Sequence, residues 1–216
     1  MSGKVPLLVA LVLTLGATAY SIVLYPQLPD KMPIHWNIRG EIDGYGPKAT
    51  GLFLMPGIMV FLLGLWLILP GLSPQNFRVA NFRQAWDNVW LATTGLMTFC
   101  HIVIIQAGMH PTVDLGKIMV SGLCAFFAVI GLPLGNIKRN FWMGYRTPWT
   151  LANDKVWESC HHFAARTLFV VGLIGAVGVW LGLPVAACFV LIIAGGLLPS
   201  LQSLIVYKQM EKRGEL

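Results

Sequence analysis

Six stretches of the chain are long, apolar and nearly free of charge. They run over Val5–Leu24, Gly51–Leu72, Val89–Gly108, Lys117–Gly135, Phe163–Gly182 and Leu183–Val206. Each approaches the ~20 residues that a helix needs to cross ~30 Å of hydrocarbon. The fifth and sixth nearly touch. Gly182-Leu183-Pro184 supplies a turn between them, so the pattern predicts a tight helical hairpin. One continuous helix would instead place Pro184 in mid-membrane, at a cost. The pattern predicts an all-α membrane protein, a six-transmembrane-helix bundle.

Two polar segments between these runs carry patterns of their own. Residues 25–50 begin with Pro26, Pro29 and Pro33. Ile34, Trp36 and Ile38 then alternate with His35, Asn37 and Arg39, which is strand spacing. Gly40 and Asp43-Gly44 supply turn chemistry. A short β-element is expected, burying Ile34, Trp36 and Ile38 and exposing His35, Asn37 and Arg39. The second segment is residues 135–163. Thr147-Pro148 reads as a helix start, with Thr as cap and Pro at the first helical position. Trp149, Ala152, Val156, Cys160 and Phe163 follow at three- and four-residue steps. That stripe predicts an amphipathic helix lying in the membrane surface. Trp142, Tyr145, Trp149 and Trp157 suit the interface, where one side of an aromatic ring is wet.

Composition agrees with the spans: of 216 residues, 56% are hydrophobic and 11% charged, less than half the ~25% charge of an ordinary soluble domain. The formal charge is +6. In a soluble chain that would raise nucleic acid as a partner. Here the cations flank apolar runs and read as topology, so no nucleic acid is expected. With the N-terminus inside, eleven Lys and Arg lie on the inner side and four on the outer. The positive-inside rule therefore predicts cytoplasmic N- and C-termini, an extracytoplasmic 25–50 loop and an inner-surface 135–163 segment. A competing reading of the first run is a signal peptide cleaved after Ala17-Thr18-Ala19. The run continues through Ser21-Ile22-Val23-Leu24, longer than most signal peptides, which favours retention.

Candidate chemistry is sparse. No Asp, Glu, Lys or Arg falls mid-span, which argues against an ion pump or proton-coupled carrier. His101, with Gln106 beyond it, is expected to hydrogen-bond to a neighbouring helix. Gly172, Gly175, Gly178 and Gly182 line the fifth span and predict close helix packing within the chain; the oligomeric state is left open. Pro56 and Pro199 are expected to kink their helices. The four cysteines have no CxxC spacing, and Cys160 reads as lying in a polar loop. His35, Glu41 and Asp43, with His110 and Asp114, are potential cation donors. The 25–50 loop has no HxH or HxxxH spacing, so no metal and no cofactor is assigned. Glu158, Cys160, His161 and His162 are crowded, but neighbours on one helix point apart and no catalytic motif is present. They are expected to face water, and the chain is not expected to be an enzyme.

The two loops resemble a known family. The first looks like the short domain of unknown function that precedes SdpI-type immunity proteins. It carries Tyr25, Pro26, Leu28, Pro29, Pro33, His35, Asn37, Gly40, Asp43, Gly46 and Lys48 in the family order. The second resembles the family's other signature in Gly135, Asn136, Lys138, Asn140, Gly144, Arg146, Thr147, Pro148, Trp149, Thr150, Asn153, Val156, Trp157 and His161. His162 departs from it, the family commonly having Arg there. The resemblance implies a six-span protein of the bacterial inner membrane. A relative protects its cell from a secreted peptide toxin and is thought to capture a transcriptional repressor. Three regions are expected: 1–72, a helical hairpin with its outer loop; 73–116, the third span; and 117–216, the SdpI-like region.

The expected function is a membrane immunity or resistance protein. A peptide toxin or other envelope-active molecule would bind on the outer side, membrane lipid would surround the bundle, and a cytoplasmic regulator is a further expected partner. Arg146–His161 would either brace the bundle or present a docking face, with Arg146 tied to helix C-terminal carbonyls. Two rivals are a transporter or flippase for a hydrophobic or peptide substrate, and a membrane enzyme. The second would require His35 to converge with Asp43 and His110, or His161 with Glu158 and Arg146.

Overall fold

The computed structural model describes residues 4–216; residues 1–3 of the first expected region lie outside the described residues. Six helices are long and apolar enough to cross a membrane: α1 (Lys4–Leu24), α2 (Lys48–Ile68), α3 (Arg83–Met109), α4 (Gly116–Leu134), α6 (Asp154–Gly178) and α7 (Val185–Arg213). Two short strands, β1 (Lys31–Trp36) and β2 (Ile42–Pro47), stand between α1 and α2. A one-turn helix, α5 (Pro148–Ala152), precedes α6.

In hydrocarbon only a helix or a closed barrel satisfies every backbone N–H and C=O. The few polar side chains in the spans follow the same logic. Thr14, Thr18, Thr94, Thr98 and Thr167 each donate a hydroxyl to the carbonyl four residues back, so these hydroxyls are paired within their own helices. Large apolar side chains such as Leu8, Leu15, Phe61 and Leu197 lie on the outside, as lipid contact allows.

The helices form two halves. In one, α1, α2 and α3 pack together and carry the hairpin; in the other, α6 packs against α4 and α7. The α4–α6 contact is the most extensive in the molecule, and glycine makes it so. A Cβ on Gly172 would lie 2.6 Å from the Cys124 carbonyl oxygen and 2.5 Å from the Ala128 nitrogen. Small residues here act within the chain. The halves meet along α3 and α4. At the end away from the hairpin they also share an aromatic core that includes Trp66, Phe82, Trp86, Ile137 and Trp157.

The helical hairpin is present. Gly182 holds φ +98°, which glycine adopts without a Cβ clash, and Pro184 leads into α7. The lone histidine also behaves as expected. His101 Nε2 lies 3.1 Å from Ser21 Oγ and 3.2 Å from the Ala17 carbonyl, and Ser21 Oγ donates to Leu52 O at 2.7 Å. One polar knot thus links α1, α2 and α3.

Three expectations are corrected. The in-plane helix over 147–163 is not formed. The chain breaks at Asn153, whose backbone is extended, and residues from Asp154 onward are the first turns of α6. Its stripe shifts accordingly: Val156, Trp157, Cys160, His161 and Ala164 are buried, whereas Ala152 and Phe163 are exposed. Cys160 is therefore a core residue, its thiol 3.2 Å from the Pro199 carbonyl, and Trp157 has no wet side. In the hairpin, Ile34 and Ile38 are exposed, and Met32 is the buried side chain. The pairing register shifts on both sides of His35, and such an irregularity destroys simple alternation.

Candidate functional site

The hairpin is fixed to the bundle by close packing. Met32 is wholly buried, and a Cβ on Gly51 would lie 2.6 Å from it. Gly108 of α3 is equally tight against the Met32 side chain. Lys48 begins α2 with its N–H on the Asp30 carbonyl at 2.8 Å and its Nζ 3.2 Å from the Asp30 carboxylate, above the Tyr25 ring. Gly40 holds φ +82° and packs directly on Gly116 at the start of α4, where a Cβ would strike the Gly40 carbonyl oxygen. The tip of the hairpin is thereby seated on the other half of the bundle.

The turn is wired through Asn37. Its Oδ1 accepts from the N–H groups of Arg39 and Glu41, and its Nδ2 donates to Glu41 Oε2 at 2.9 Å. Arg39 Nε donates to the same carboxylate oxygen at 2.9 Å. These bonds, Asn37 first, hold the Glu41 carboxyl below the usual range. His35 Nδ1 and Asp43 Oδ1 pair at 2.6 Å, and both side chains are largely open to solvent. Beside them Ile38 and Tyr45 are each about 60% exposed. The result is a fixed scaffold presenting one His–Asp pair, one Arg–Glu pair and bare apolar surface.

At the opposite end residues 135–153 form a buckle over the starts of α6 and the core. Asn140 is fully buried and fully used: Nδ2 donates to the Lys138 and Met143 carbonyls, and Oδ1 accepts from the N–H groups of Trp142 and Met143. Gly144 holds φ +97° and presses on the His161 ring, leaving no room for a Cβ. His161 is also fully buried. Its Nδ1–H donates to the Trp157 carbonyl at 2.8 Å, which leaves Nε2 to accept from the Tyr145 N–H at 3.0 Å. Its ring stacks on Trp157, whose indole N–H donates to Ile137 O at 2.6 Å. Burial pushes the Tyr145 phenol up to about 12, so it stays neutral.

The remaining signature residues close the buckle. Thr147 and Thr150 form a reciprocal capping box around Pro148 and Trp149. Thr150 Oγ1 also donates to Tyr145 O at 2.6 Å, and Thr147 Oγ1 lies 3.0 Å from Ser203 Oγ on α7. Asn153 caps α6 through the N–H groups of Lys155 and Val156. Lys138 pairs with Glu158, and Arg139 pairs with Asp154 while donating to the Leu151 carbonyl. Arg146 donates to the carbonyl of Phe141, a loop residue and not the helix end expected for it. Asn136 is exposed just beyond α4.

His35 thus meets Asp43, but His110 does not join them. His161 turns inward, away from Glu158 and Arg146, which correct its expected position in water. Among the described residues no three His, Cys, Asp or Glu side chains gather as a metal site would require. One important residue was not anticipated. Asp87, just ahead of the expected Val89 start of the third span, is 3% exposed within α3; it accepts from Trp66 Nε1 at 3.0 Å and from Arg83 Nε at 2.8 Å. The signal was available: an Arg four residues earlier and an indole in the preceding span.

The architecture is that of a multi-pass membrane protein with an extramembrane hairpin at one end and a self-bonded buckle at the other. Comparison with known proteins makes this more specific. Residues 12–60 match the model of a domain of unknown function, DUF1648, and residues 136–206 match that of the SdpI/YfhL protein family. Immunity protein SdpI of Bacillus subtilis (strain 168) is 28% identical over 162 residues, 73% of this chain and 73% of that protein. The resemblance read from the two loops is thereby borne out, and the chain carries a DUF1648 domain followed by an SdpI/YfhL-type segment. No solved structure matches it.

Proposed function

We propose that this chain is a membrane immunity or resistance protein whose hairpin meets an amphipathic peptide on the outer side of the bacterial inner membrane, with both termini in the cytoplasm. The relationship to an immunity protein supports the membrane resistance function. The observation that carries the finer reading is the surface left over once the hairpin has satisfied itself. His35, Asp43, Arg39 and Glu41 offer both signs of charge beside exposed Ile38 and Tyr45. An amphipathic peptide carries the complementary features, and aromatic and charged groups with apolar neighbours are what recognition surfaces concentrate. The buckle is the brace: its motif side chains are used on its own backbone and on α6 and α7. A cytoplasmic regulator would meet its outward face, at Lys138, Glu158 and Lys155.

The test is survival of a sensitive bacterium under a panel of membrane-active peptides, with membrane levels matched. Selective protection by the intact chain is expected. Ile38→Asp and the His35→Ala/Asp43→Ala pair should insert normally and lose most of that protection. Full protection by both variants would remove the hairpin from the mechanism. No protection by the intact, inserted chain would remove immunity.

A further inference from the structure

A crevice lies away from the hairpin, in the seam where the two halves meet. It has a volume of about 550 Å³ and opens between the first turns of α3 and the last turns of α4, within the size range of sites for small ligands. Its mouth carries three amide side chains, Gln84, Asn88 and Asn136. Among the described residues none of these amides has a hydrogen-bond partner within the protein. Its floor is apolar. Leu91 and Val129 lie about two helical turns further along, which is about 10 Å toward the membrane centre. Val129 and Leu132 are more than half exposed on the lipid-facing side, so the floor is continuous with the hydrocarbon.

That layering matches an amphiphile that enters sideways, chains below and headgroup at the rim. The rim chemistry selects the headgroup. A phosphate calls for Arg or Lys, yet no ionisable residue lines the cavity. The two cations closest in sequence to the rim amides are paired, Arg83 with Asp87 and Lys138 with Glu158. Amides both donate and accept, as hydroxyls do. We infer that the α3–α4 crevice binds a lipid with an uncharged, hydroxyl-rich headgroup, of the glycosyl diacylglycerol class. This inference is independent of the immunity reading, because it concerns the opposite end of the bundle.

The experiment places the full chain in nanodiscs of phosphatidylglycerol and phosphatidylethanolamine. Two photo-crosslinking probes share one diazirine-bearing acyl chain: one has a diglucosyl headgroup and the other a phosphoglycerol headgroup. Peptides spanning 84–92 and 129–136 should be labelled about tenfold more by the glucosyl probe, the worth of one or two net hydrogen bonds. Gln84→Leu/Asn88→Leu should abolish that preference. Ala92→Trp, which fills the slot without touching the amides, should abolish labelling there by both probes. Equal labelling of the intact chain by both headgroups would mean ordinary boundary lipid and overturn the proposal. Absence of label would mean a water-filled crevice and overturn it equally. If the variants fail to fold, the two probes on the intact chain still decide.

Discussion

The hairpin and the buckle are both polar, both dense in motif residues and both set against the same bundle, yet they spend their polar groups differently. In the buckle nearly every motif side chain bonds to backbone. Asn140, His161, Thr147, Thr150 and Asn153 all terminate on main-chain groups of the buckle or of α6. In the hairpin only part of the motif is consumed. Gly40, Asn37 and Lys48 build the turn and its seat, while His35, Asp43, Arg39 and Glu41 interact with each other in solvent. A motif that satisfies itself fixes a fold; one with an exposed remainder also leaves chemistry for a partner. The contrast predicts that substitutions in the buckle act on stability and those on the hairpin face act on function.

The largest effect should come from His161. His161→Ala leaves the Tyr145 N–H unpaired, removes a stacked ring from Trp157 and opens a cavity, together worth roughly 3 kcal/mol. Gly144→Ala reaches the same ring from the other side, with a Cβ and a positive φ against it, at roughly 2 kcal/mol. Because the two share one contact, the double variant should cost clearly less than the sum. Unfolding in detergent, followed by tryptophan fluorescence, measures all three. An unaltered midpoint for His161→Ala would break the comparison, since the buckle would then not be a brace.

Asp87 comes next and extends the argument to the neighbouring helix pair. Asp87→Ala strands the Trp66 indole N–H, which is buried, while Arg83 can turn to solvent. The cost should be roughly 2 kcal/mol, the penalty for one orphaned buried donor. Asp87→Asn keeps an acceptor and should cost less than half as much. Equal loss in the two variants would show that charge, and not the indole bond, is what matters.

The legibility of these features in the sequence follows from how each is stabilised. The six spans are set by apolar length, a property of composition along the chain, and they lie within a few residues of expectation except where α3 and α6 begin earlier and where α7 runs on to Arg213. Those two starts were hidden because polar residues were read as solvated. Asp87 and His161 are polar yet buried, and only a partner distant in sequence, such as Trp66 or the Tyr145 backbone, makes that tolerable. The hairpin itself was visible in its prolines and glycines. Its inward residue was not, because the register irregularity beside His35 puts Met32, and not Ile34 or Ile38, against the bundle.

The smallest effect sharpens the hairpin side. Glu41 is exposed, but hydrogen bonds from Asn37 and Arg39 stabilise its anionic form and lower its pKa below the ordinary 4.5. A carboxyl depressed on folding contributes while it is ionised. Its contribution is complete above the unfolded value and is lost as pH falls through the folded one. The turn should therefore hold its geometry at neutral pH and loosen only in acid below about 4.5. The amide resonances of Arg39 and Glu41, which donate to Asn37 Oδ1, are the direct reporters. They should shift with one acidic midpoint in the intact chain and stay flat in Glu41→Gln. The Trp142 and Met143 amides, which donate to Asn140 Oδ1, should not move over the same range, because Asn140 bonds only to main-chain groups. A shared midpoint at both ends would mean that the hairpin and buckle are coupled through the bundle, and the division between a recognition end and a bracing end would have to be replaced by a single two-state unit.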